Sequence, residues 1–184
     1  MRTRIVLLSA AILGSASAAA AADEFILRSQ NLGTNASIAP AQVYNQGDCH
    51  GGNVSPQLSW SGAPEGTLSY GVTMFDLDAN DGRGWWHWAL FDIDAKTTSL
   101  ASGAGAGADG GPLGGVSASN SFGDLGYSGP CPPKDEKMHR YVVTVYALGT
   151  DHLGLAKASD AQTVQQALQS KALATATLQA EYGR

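Results

Sequence analysis

The sequence predicts a mainly β protein, an antiparallel β-sandwich carrying one late helix. Three observations predict it: many short β-prone runs, glycine-rich connections between them (23 glycines in 184 residues), and a single well-signed helix near the C-terminus. The first run is Phe25 to Ser29, and Gln57 to Trp60 and Ser69 to Asp76 repeat its pattern after turn signals. Trp85 to Asp94 and Arg140 to Leu148 are longer and apolar on both faces. In the second of these, Val142, Thr144 and Tyr146 alternate with Val143, Val145 and Ala147, so both are expected to be central strands buried between layers. Ala101 to Gly115 is dominated by Gly and Ala with no periodicity and reads as a long surface loop. Ser159 with Gln162 three residues on forms a capping box, and Val164, Ala167, Leu168 and Leu173 mark one helical face. After it, Ala174, Ala176, Leu178, Ala180 and Tyr182 alternate with polar residues, predicting a final strand.

Residues 1–22 stand outside this plan. Arg2 and Arg4 precede the apolar stretch Ile5 to Leu13, and small residues run on to Ala22, the build of a secretory signal peptide in which several Ala-x-Ala cleavage sites compete and Ala20-Ala21-Ala22, before the first charge at Asp23, is preferred. No segment reaches the roughly 20 apolar residues of a membrane-spanning helix. A periplasmic or secreted domain of residues 23–184 is therefore expected. The formal charge of −5, which becomes more negative once Arg2 and Arg4 are removed, argues against nucleic acid as a partner. Cys49 and Cys131 are too far apart for a CxxC motif, and in an oxidising compartment two such cysteines are expected to pair.

Two constellations can carry chemistry. Asp76 and Asp78 end a strand, where a two-residue period sends both carboxylates to one side, and Trp85-Trp86-His87-Trp88 opens the next strand. A shared pocket is one reading, and a solvated acidic loop beside an aromatic core strand is the other. The second constellation is Tyr127-Ser128-Gly129-Pro130-Cys131-Pro132-Pro133 followed by His139-Arg140-Tyr141. Its prolines stiffen a loop with few backbone donors, which serves either a pocket rim or a stiff corner. His50 and His152 sit in turn-like surroundings and receive no role. No phosphate-binding glycine motif and no GxSxG nucleophile elbow is present.

Taken in order, Asp76-Leu77-Asp78-Ala79, His87-Trp88, Gly129-Pro130-Cys131-Pro132-Pro133 and His139-Arg140-Tyr141 resemble the phosphatidylethanolamine-binding protein (PEBP) family, in its bacterial Raf-kinase-inhibitor-like branch. Asn53 to Trp60 and the closing Tyr182-Gly183-Arg184 extend the resemblance over nearly the whole expected domain. It implies a two-sheet sandwich with a small anion-accepting pocket formed by Asp76, Asp78, His87, Gly129, Cys131, Pro132, His139 and Tyr141, with Tyr127 at its mouth. It implies no cofactor and no catalytic residue. The implied activity is binding of a small phosphorylated or other anionic group. Two alternatives are carried beside it: a module that inhibits an extracytoplasmic protease or engages another envelope protein, and a metal-dependent hydrolase using the two Asp and two His. The chain departs from the family's Asp-Pro-Asp-Ala-Pro pattern by placing Leu77 and Asn80 at the proline positions, so a less rigid loop is expected there. Lys171 stands where the branch often has histidine.

Overall fold

The structure, a computed structural model, describes residues 24–33, 37–107 and 114–184. The expected signal peptide lies outside the described residues. The strands are β1 (Ile26–Arg28), β2 (Leu58–Ser61), β3 (Ser69–Asp76), β4 (Trp85–Asp94), β5 (Ser99–Leu100), β6 (Val116–Ser117), β7 (His139–Leu148) and β8 (Ala172–Tyr182). They form a three-stranded sheet in the order β1-β2-β5 and a five-stranded sheet in the order β6-β4-β3-β7-β8. All strand pairings are antiparallel, as the sequence predicts.

Two-sided burial of β3, β4 and β7 follows from a third layer. Tyr70, Val72, Met74, Trp88, Leu90, Tyr141, Val143 and Val145 face the small sheet and close a core with Leu27, Leu58, Trp60 and Leu100. The opposite face presents Ala89, Phe91, Tyr146 and Leu148 to helix α1 (Ala161–Lys171), which contributes Ala161, Val164 and Leu168. Gly71 permits this packing, because a Cβ there would lie 2.1 Å from the Leu168 side chain. The β3–β4 register shifts between Tyr70 and Val72, opposite Asp92, whose left-handed φ of 55° marks a bulge. The bulge lets Leu90 and Ile93 share one core although three positions separate them.

Three expectations are corrected. The helix is capped by Asp160, whose side chain accepts from the Thr163 amide at 2.9 Å. The Ser159 hydroxyl instead donates to the Ala156 carbonyl. Leu173 belongs to β8, half exposed, because the backbone turns extended at Ala172 with no connecting loop. The glycine-rich stretch is not wholly superficial either. Ala104 is in the core, and Gly105 lies so close to Trp88 that a Cβ would approach its ring to 2.8 Å.

Candidate functional site

The register of the large sheet places its chemistry at one end. Asp76, the last residue of β3, pairs with Trp85 on β4 and with Tyr141 on β7. His87 is therefore two residues into β4, and His139 is the first residue of β7. Both rings line a cleft of about 830 Å³, together with Asp76, Asp78, Trp85, Phe122, Cys131, Pro132, Pro133, Glu136 and Lys137. Each histidine is 2% exposed. Tyr141 packs against both, its ring edge-on to His87 at 5.3 Å and stacked with His139 at 6.4 Å.

Buried polar groups need partners, and here each partner fixes an orientation. Asp76 Oδ1 accepts from the amides of Asp78 and Ala79 at 2.9 and 3.1 Å, and Oδ2 lies 2.8 Å from His139 Nδ1. The other ring nitrogen of His139 is 3.3 Å from Glu136. Asp78 has left the extended conformation, with φ −103° and ψ −17°. This turn, rather than strand alternation, brings both carboxylates to the cleft. Asp78 accepts from Arg140 Nε, Nη2 and backbone N–H, all at 2.9 Å, and from Lys137 Nζ at 3.3 Å. The Arg140 hydrogen bonds hold its carboxyl well below the usual carboxylate range. Its charge is thus matched within the protein.

His87 is anchored from behind. Its Nδ1 lies 2.7 Å from the Ser128 carbonyl, and burial pulls its pKa below the usual 6.5. Ser128 is fixed in turn, donating from Oγ to Asp124 at 2.8 Å and accepting from Asn120 Nδ2 at 2.9 Å. The Phe122 ring stands edge-on to His87 at 5.5 Å. Sequence reasoning missed Phe122, Asn120, Asp124, Glu136 and Lys137, because isolated residues in loops carry no periodic signal.

Other expected site residues divide sharply. Cys131 and Pro132 line the cleft, and Cys131 is bonded to Cys49. Tyr141 is fully buried behind the histidines, where desolvation and then the Asp76 charge push its phenol far above the ordinary range. Gly129 lies outside the lining: its amide donates to Asn53 Oδ1 at 2.8 Å, and a Cβ would collide with the Gln42 carbonyl at 2.1 Å. Tyr127 is not at the mouth. It is buried edge-on against Trp88, and its hydroxyl donates to the Gln42 carbonyl at 2.7 Å. The loop after Asp78 differs from the family pattern in backbone as well as sequence, since Asn80 has φ 57°, which proline cannot adopt. Arg83 braces it by donating to the Asn80 carbonyl and side chain at 3.0 and 2.7 Å. Among the described residues no three His, Cys, Asp or Glu side chains are grouped as a metal ion requires.

The sequence pattern of the family described as phosphatidylethanolamine-binding protein matches residues 28–183. The chain belongs to the phosphatidylethanolamine-binding protein family. Among the relatives of this PEBP is the UPF0098 protein YbcL of Escherichia coli K12, 39% identical over an alignment that covers 99% of this chain and 98% of the relative. UPF0098 protein YbhB of the same organism is 35% identical over 85% of this chain and 98% of its own. The crystal structure of E. coli YbcL, described as a new member of the mammalian PEBP family, superposes with a TM-score of 0.83 at 38% identity, covering 88% of this PEBP and 99% of YbcL. A PEBP homologue of Chlamydia trachomatis matches at a TM-score of 0.73 and 27% identity over 87% of this chain and 97% of that one. No described helix is long and apolar enough to cross a membrane.

Proposed function

We propose that this PEBP is an exported receptor for a small phosphorylated or otherwise anionic group, held in the cleft floored by His87 and His139. No bond is made or broken in this reading. One observation carries it: two buried imidazoles share a cleft in which the carboxylates of Asp76 and Asp78 are already engaged by His139, Arg140 and Lys137. With Asp78 saturated by Arg140, the longer contact from Lys137, whose side chain is 76% exposed, is dispensable. Lys137 is then free to swing to a guest as a point charge on a flexible stem.

Calorimetric titration with phosphoethanolamine tests the reading. Saturable heat is expected from the wild type, with a loss of affinity of about tenfold or more in His87→Ala and His139→Ala, since each removes a charge-assisted or buried hydrogen bond. Absence of heat above buffer for the wild type overturns it. Export is supported by the leader-like residues 1–22 and by the Cys49–Cys131 bond, which persists in oxidising compartments. The protein recovered from a periplasmic or secreted fraction is expected to have an intact mass that begins at Asp23 and lacks two thiol hydrogens. A mass that includes Met1 sinks the export assignment.

A further inference from the structure

The cleft meets its guest with a lone pair. The Ser128 carbonyl, 2.7 Å from His87 Nδ1, has no proton to give, so the proton of the neutral ring sits on Nδ1 and Nε2 is an acceptor. This tautomer is locked. The Ser128 amide donates back to the His87 carbonyl at 2.9 Å, the Asn120–Ser128–Asp124 chain holds the segment, and the Phe122 edge flanks the ring. The ionisable groups around His87 are Asp76 on β3 and His139 and Tyr141 on β7, with Asp78, Glu136 and Lys137 lining the same cleft. Asp76 favours a charged ring but is engaged by His139, and desolvation outweighs it. Asp76 and Glu136 add further acceptors to the cleft.

Building on the anion-binding reading, we propose that the cleft selects phosphate monoesters carrying a P–OH over phosphodiesters, with His87 Nε2 as the acceptor that tells them apart. A monoester monoanion donates its P–OH to Nε2 and turns its remaining oxygens toward Lys137. A diester has no P–OH and sets an oxygen lone pair against the nitrogen lone pair, leaving a buried acceptor unsatisfied. A site built around one hydrogen bond rejects the analogue that lacks it. The selection therefore works on the ligand's proton rather than on its charge alone.

Phosphoethanolamine, its methyl ester and glycerophosphoethanolamine serve the test: all three share the ammonium, and the two diesters lack the P–OH, the methyl ester at the smallest change in bulk. Calorimetry of the wild-type protein at pH 6 is expected to give both diesters an affinity lower by about tenfold or more. Monoester affinity is expected to fall by about tenfold per pH unit well above the phosphate's second pKa of about 6, as the monoanion disappears. His87→Gln, whose amide can turn either a donor or an acceptor to the guest, is expected to bind the monoester and its methyl ester within about threefold of each other. Equal wild-type affinity for the monoester and its methyl ester, or monoester affinity that stays flat from pH 6 to 8, overturns the inference while leaving the anion-binding reading intact. Absence of binding by all three ligands removes both. The pH series uses only the wild-type chain, so a His87→Gln protein that fails to fold does not shelter the proposal.

Discussion

Asp76→Ala is expected to lower stability by about 3–5 kcal/mol and to abolish phosphoethanolamine binding. The side chain is 3% exposed and joins three elements: its oxygens take the amides that start the turn after β3 and the imidazole that starts β7. Truncation leaves two amides and a ring nitrogen without their acceptor in a site water reaches poorly. Asp76→Asn separates the two roles. Its carbonyl oxygen still receives the Asp78 and Ala79 amides, but its NH2 faces His139 Nδ1, so that ring must move its proton to Nε2. A loss of about 1–2 kcal/mol is expected for Asn. Urea denaturation followed by Trp fluorescence measures both. An Ala variant within about 1 kcal/mol of wild type would show that the turn organises itself without the carboxylate.

Replacing both Cys49 and Cys131 by alanine is expected to cost about 4 kcal/mol in the chain-entropy account, because the bond joins residues 82 positions apart. Binding should nevertheless survive in the folded fraction. The same two loops are held by the Tyr44 amide on the Pro130 carbonyl at 3.1 Å. Arg184 adds bonds to the Pro132 and Asp48 carbonyls at 2.6 and 2.9 Å. A large drop in thermal midpoint with phosphoethanolamine affinity within about threefold of wild type is the expected pair of results. If affinity collapses while the midpoint holds, the crosslink shapes the rim rather than restricting the unfolded chain.

The strands that build the site were the most legible elements. β3 and β4 have the limits their sequences predict, and β7 starts one residue early at His139, because apolar runs bounded by Gly, Asp and Pro leave little freedom in where pairing begins. β5 and β6, two residues each, are too short for any period to mark. The helix cap moved from Ser159 to Asp160 because adjacent polar residues both suit that position, and only the backbone path decides.

At the site, chemistry-bearing residues were readable and their orientations were not. Asp76, Asp78, His87 and His139 converge as the family resemblance implied, whereas Tyr127 turned into the core because a phenol can satisfy burial with a single carbonyl. The tautomer of His87 depends on a carbonyl 41 residues away, which sequence spacing cannot place.

The Asp76–His139 contact spans 63 residues and forms only when β7 docks on β3, whose other neighbour β4 comes far earlier in the chain. Such distant closures are entropically unfavourable until the whole sheet rewards them, which puts this topology among slow folders, on the order of milliseconds to seconds. A chain halted after β4 displays its acidic turn and one imidazole but lacks the opposing wall. The cleft is thus completed late in folding, and on the anion-binding proposal only finished molecules can hold a guest.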